Sequence, residues 1–101
     1  MYTLSFTNRL EKDLKLIKKR SLKDLKLIHD FLKNELVIKG AEKLPQKFRA
    51  HKLSGNYQDN WECHIKGDLL VIWLEITEDN EIILVRANVK KIRQKMLPIQ
   101  L

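Results

Sequence analysis

The chain has 101 residues, which suits one domain, residues 1–101, with a single hydrophobic core and leaves no room for a second. Its 44% apolar and 33% charged content is that of a soluble globular protein, and no apolar run approaches the roughly 20 residues needed to span a bilayer. The formal charge of +7 is uneven: residues 1–50 carry all of it, 51–81 hold 2 basic and 7 acidic residues, and 82–101 hold 5 basic and none acidic.

Basic surface at both ends of a chain attracts a polyanion such as RNA or DNA, or an acidic protein partner, although most individual lysines read as solvated helix faces. The segment after Met1, YTLSFTNRLEKD, has neither the apolar core nor the cleavage site of a secretory signal. A cytoplasmic protein without a membrane partner is expected, with the lone Cys63 a free thiol.

In chain order, Tyr2 to Phe6 alternates apolar and polar residues and predicts a short strand. Asn8 with Glu11 three residues on predicts a capping box opening a helix, in which Leu10, Leu14 and Ile17 share one face. Arg20-Ser21 breaks that period. Ser21 with Asp24 caps a second helix whose stripe is Leu25, Ile28, Leu32 and Leu36, with His29 beside it in a structural role. The two form an antiparallel hairpin that must bury its stripe on another layer. Gly40 and Pro45 end the helical region and begin an irregular connection.

Three strands follow, WECHI at 61–65, LLVIWLEI at 69–76 and IILVRA at 82–87, joined by short turns as an antiparallel meander. The middle one, almost continuously apolar, is expected to be central and covered on both faces. NVKKIRQKM, from residue 88, predicts a short basic helix that Pro98 ends.

The stretch HKLSGNYQDNWECHIKGD, residues 51–68, gathers two of the three histidines, several carboxylates and the only cysteine. It could be a polar loop by accident, a metal site or an acid/base site. In a strand, alternate side chains point to opposite faces, so Trp61, Cys63 and Ile65 share one side while Glu62 and His64 share the other. Cys63 and His64 therefore do not easily ligate one ion, and no CxxC or HxxxH spacing is present. The metal reading is set aside, no cofactor is implied, and Cys63 is assigned to the core. The polar face carries Glu62 and His64, with Asp68 in the turn beyond and His51 upstream. Histidine, with an ordinary pKa of about 6.5, accepts or donates a proton at neutral pH, and a neighbouring carboxylate orients the ring. The competing reading is that Glu62 and His64 form the solvent side of an edge strand.

Residues 44–73, LPQKFRAHKLSGNYQDNWECHIKGDLLVIW, resemble the central signature of the YafQ-type branch of the RelE/ParE superfamily of bacterial toxins. The elements that carry the likeness are Leu44-Pro45, Phe48, His51-Lys52-Leu53-Ser54-Gly55, Glu62-Cys63-His64 and Asp68. The predicted order of elements also agrees along most of the chain. The resemblance implies an α+β fold in which an N-terminal strand and a helical hairpin pack on a small, mainly antiparallel twisted sheet, with a short C-terminal helix. It implies the toxin of a type II toxin-antitoxin system, an endoribonuclease that cuts mRNA in the ribosomal A site without a metal. Its partners would be a cognate acidic antitoxin, mRNA and the ribosome, with operator DNA bound indirectly through the antitoxin.

In that chemistry a base takes the ribose 2′-OH proton, the alkoxide attacks the adjacent phosphorus, a cation steadies the transition state and an acid protonates the leaving 5′-oxygen. The motif carries over His51, His64 and Asp68 as acid/base candidates with Glu62 beside them, and Arg86 as a phosphate ligand. Lys47, Arg49, Lys52 and Lys91 are the candidate RNA-binding residues. The sequence departs from the family pattern near its end. Where such toxins place Arg-x-Gly-Ser/Thr-His before a closing Leu-Phe, this chain has Arg86-Ala87-Asn88-Val89-Lys90, and a tail continues past Lys95. Lys90 stands in the histidine's place, where a lysine could stabilise the transition state but is a poor proton acceptor. That change motivates the alternative of a ParE-like toxin that inhibits DNA gyrase and cuts nothing. A plain nucleic-acid-binding module accounts for the charge but not for the histidines.

Overall fold

A computed structural model describes residues 1–53 and 59–89. Strand β1 (Thr3–Phe6) leads into helix α1 (Asn8–Arg20), α2 (Leu22–Phe31) and, after a widened π turn at Leu32–Leu36, the short α3 (Val37–Lys39). A connection with a 3₁₀ turn at Gln46–Phe48 reaches β2 (His51–Lys52), followed by β3 (Asn60–Lys66), β4 (Leu69–Ile76) and β5 (Glu81–Val89). The strands form one sheet in the order β1-β5-β4-β3-β2, antiparallel except where β1 runs parallel to β5.

The cap of α1 lies one residue earlier than the Asn8–Glu11 spacing predicts. Thr7 Oγ1 accepts from the Leu10 amide at 3.1 Å and donates to the Leu84 carbonyl at 3.0 Å. One hydroxyl thus closes the helix end and fastens it to β5, which Asn8 is too far along to do. Ser21 caps α2 as predicted, accepting from the Asp24 amide. Leu10 and Ile17 of α1 and Ile28, Leu32 and Leu36 of the second stripe are buried, joined by Phe31, while Leu14 and Leu25 are partly buried against them. Gly40 ends the helical region at φ 72, with the Tyr2 ring so close that a Cβ there would lie 2.7 Å from its hydroxyl.

Strand β4 is the central strand, and Leu69 to Trp73 are all buried. Leu69, Val71 and Trp73 face the helices in the main core with Cys63, Ile82, Leu84 and Ala87. Leu70 and Ile72 are buried on the opposite face. Cys63 is fully buried, with Trp61 and Ile65 packed beside it, as the strand parity predicts. Glu75, at the end of β4, accepts from the Trp73 indole at 3.1 Å and the Ala41 amide at 3.0 Å, tying the connection to the sheet.

Two expectations are corrected. The segment before β3 is not all irregular, because His51 and Lys52 pair with Glu62 and Trp61 as an added strand. Asn88 and Val89 continue β5 instead of opening a helix, since Leu70 and Leu69 pair with them. The rest of that predicted helix lies outside the described residues. Among the described residues, no helix is long and apolar enough to cross a membrane.

Candidate active site

Sheet register assembles the site. His51 of β2 lies opposite Glu62 of β3, Glu62 opposite Ile72 of β4, and Ile72 opposite Arg86 of β5, giving one row across four strands. The next row sets His64 opposite Leu70 and Leu70 opposite Asn88. Successive rows on one face bring the two histidines together: their ring centroids are 6.4 Å apart and the planes differ by 26°. Their separation along the chain is cancelled because β2 pairs back on β3.

Arg86 reaches its row through a β-bulge. Trp73 pairs with Leu84 but Ile72 with Arg86, so Val85 is an extra residue in β5. The bulge brings Arg86 into register with Ile72 where a regular ladder would set it opposite Val71, and its guanidinium turns to Asp13 of α1.

Each ring is held by a backbone carbonyl. His51 Nδ1–H donates to the Arg49 carbonyl at 2.8 Å, leaving Nε2 3.3 Å from Glu62 Oε1. Arg49 provides that carbonyl from a left-handed conformation, φ 50, that closes the 3₁₀ turn before β2. A carbonyl only accepts, so Nδ1 carries the hydrogen of the Arg49 contact, and Nε2 faces the Glu62 carboxylate, an ion pair when the ring is protonated. His64 Nδ1–H donates to the Gly67 carbonyl at 3.3 Å, which directs the lone pair to Nε2 in the neutral ring.

Glu62 is buried, its side chain only 3% exposed, whereas that of His51 is 49% exposed. That burial, with β2 paired against Glu62, removes the edge-strand reading for Glu62, whereas His64 lies past the two paired residues of β2 and is only partly buried. Burial and, next, the negative charge of Glu62 push the Cys63 thiol well above its usual range. Cys63 is therefore an inert core thiol, not a nucleophile.

Other predicted residues fall in different settings. Asp68 occupies the exposed two-residue turn after Gly67 and makes no hydrogen bond or ion pair among the described residues. Arg86 is buried, and its Nε and Nη2 grip Asp13 of α1 at 2.7 and 3.2 Å. Asp13 Oδ2 also accepts from the Ala87 amide at 3.0 Å. The guanidinium fork expected to hold a phosphate is thus engaged with a helix carboxylate. Asp13 escaped the sequence reading, yet an acid between Leu10 and Ile17 in a buried stripe is a signal that a cation must meet it. Lys47, Arg49 and Lys52 are exposed around His51, with Lys47 Nζ over the Phe48 ring at 5.2 Å and Lys52 Nζ over the Trp61 ring at 5.7 Å. Lys90 and Lys91 lie outside the described residues.

A helical hairpin on a five-stranded sheet, with two histidines stacked over a buried glutamate on the far face, defines a small α+β protein of the RelE-like toxin fold. The chain belongs to the YafQ family, bacterial toxins of type II toxin-antitoxin systems, whose family model matches residues 2–91. A metal-bound toxin from Helicobacter pylori is 32% identical, with a TM-score of 0.76, 90% of this chain and 97% of that one being covered. A mutant form of YafQ from E. coli is 22% identical at the same TM-score of 0.76, covering 92% and 98%. The RelBE2 toxin-antitoxin complex from Mycobacterium tuberculosis matches at 17% identity and TM-score 0.64, covering 87% and 96%. Comparison with curated proteins finds no match. One of these toxins carries a metal; in this chain no three His, Cys, Asp or Glu side chains converge as a ligand set among the described residues.

Proposed function

We propose that this toxin is a ribosome-dependent mRNA endoribonuclease that works by acid/base transfer at the ribose 2′-OH. The observation that carries the reading is the stacked pair His51 and His64, each oriented by a carbonyl, with the buried Glu62 under His51. Two such rings can serve the two proton transfers of an in-line displacement. His64, with Nε2 as acceptor, takes the 2′-OH proton. The alkoxide attacks the adjacent phosphorus, the bond to the 5′-oxygen breaks, and His51, protonated beside Glu62, delivers a proton to that oxygen. Lys47, Arg49, Lys52 and Lys91 hold neighbouring phosphates, Lys90 offsets the charge that builds on phosphorus, and Asp68 steadies the approach of the substrate. Arg86, gripped by Asp13, acts mainly by fixing the row in which Glu62 lies.

An acidic antitoxin is the protein partner that fits a chain of net charge +7, and its structural neighbours include toxins in complex, RelBE2 and DinJ-YafQ. Primer extension on translated mRNA after brief expression tests the function. New cuts inside codons are expected, and they should vanish in a His51→Ala, His64→Ala double variant. Growth arrest without cuts, accompanied by loss of DNA supercoiling activity, would favour the gyrase-directed alternative.

A further inference from the structure

On the face opposite the histidines, where β2 and β3 meet the connection after α3, a groove of about 310 Å³ opens among Glu42, Pro45, Gln46, Arg49 and Trp61. That volume lies at the small end of ligand sites, which run from about 300 to 1,000 Å³. The two tryptophans of the chain differ sharply: Trp73 is fully buried, whereas Trp61 is only partly buried and lines this groove. Lys52, opposite Trp61 in the register, holds its ammonium 5.7 Å from the indole centre.

We propose that this groove is a nucleobase subsite, seating a base next to the nucleotide whose phosphate is cut; the inference rests on the nuclease reading above. The lining suits single-stranded RNA: Trp61 brings an aromatic ring on which a base can stack, and Arg49, Gln46 and Glu42 bring a cation, an amide and a carboxylate to the same groove. A hydrophobic protein ligand would leave Arg49, Gln46 and Glu42 buried without reason. The groove is also joined to the acid/base site through one residue. Arg49 lends its carbonyl to His51 Nδ1 and itself lines the groove. Its left-handed backbone, φ 50, turns the chain between the two. His51 and Lys52 are adjacent in a two-residue strand and point to opposite faces, so an RNA chain crossing that edge meets the proton donor and then the groove.

The test uses an uncleavable 2′-O-methyl RNA hexamer and the same hexamer with abasic central positions, titrated against the intact toxin while tryptophan emission is read. The base-containing hexamer should quench the accessible Trp61. The abasic one should bind roughly 5- to 100-fold more weakly, the range expected for loss of one stacked base. Trp61→Leu should lose the same factor, and its cuts on translated mRNA should spread over more sequence contexts. Trp61→Phe, which keeps a stacking face, should retain most of the affinity. Equal binding of the two hexamers, no binding of the base-containing one, or wild-type affinity and cut pattern in Trp61→Leu overturns the proposal. If Trp61→Leu does not fold, the hexamer pair and Trp61→Phe decide. Because binding needs no cleavage, base-dependent binding by a toxin that makes no cuts would sink the nuclease reading and leave the subsite standing.

Discussion

Replacing Asp13 by Ala isolates the contribution of the buried pair under the site. The substitution removes both partners of the Arg86 fork, at 2.7 and 3.2 Å, and the acceptor of the Ala87 amide at 3.0 Å. The side chains are 4% and 7% exposed, so water cannot take the carboxylate's place without opening the packing of α1 on β5. Removing one partner of a buried ion pair costs about 3–5 kcal/mol, because the remaining charge is stranded. Against a total stability of about 5–15 kcal/mol, that is a large fraction. At about 4–5 °C per kcal/mol for a domain of this size, Tm should fall by roughly 12–25 °C. A double variant, Asp13→Leu with Arg86→Met, fills the space without charge and should recover the part of the loss due to the stranded charge, the Ala87 amide still lacking its acceptor. Urea titrations followed by circular dichroism supply the free energies, and ribosome-dependent cleavage measured well below Tm supplies the activity. If Asp13→Ala shifts stability by less than about 0.5 kcal/mol, a tenth of the smallest total stability expected, the pair is not the strut described, and Arg86 is available for phosphate after all.

His51→Ala and His64→Ala should each slow cleavage by about 10²- to 10⁴-fold in single-turnover assays on programmed ribosomes, with Tm nearly unchanged. Retention of the wild-type rate in both would remove the proton-transfer assignment. Cys63 in native protein should resist iodoacetamide for as long as the protein stays folded, and labelling at the rate of a free thiol would contradict its burial. Since the folded thiol titrates above the unfolded one, its contribution to stability is full below about pH 8.5 and declines as pH rises from there. Cys63→Ala should flatten that decline in urea titrations carried from neutral into alkaline pH. Gly40→Ala should destabilise by about 1–3 kcal/mol, from a φ of 72 and a Cβ 2.7–2.9 Å from the Tyr2 ring, and a Tm at or above wild type would refute that account.

Much of this architecture was legible in local chemistry. Ser21, Gly40 and the stripes of Leu10, Ile17, Ile28, Leu32 and Leu36 mark the helical hairpin because capping and the 3.6-residue period act over a few residues. The near-continuous apolar run from Leu69 marks the central strand because only a strand covered on both faces tolerates it. Strand parity alone assigned Cys63 to the core and set Glu62 and His64 on the other face. The signature around His51, Glu62-Cys63-His64 and Asp68 carried the family.

What the tertiary structure decided is where long-range pairing overrules local signals. Thr7 displaces Asn8 as the cap because Leu84, far along the chain, accepts its hydroxyl hydrogen. The two-residue strand of His51 and Lys52 has no pattern of its own and exists only against Glu62 and Trp61. The bulge at Val85 sets the register of Arg86, and the stripe residue Asp13 claims its guanidinium. A single sequence records which side chains can give or take a proton. Which of them meet depends on register between strands distant in the chain, and that register is fixed by the packing of the whole sheet against its helices.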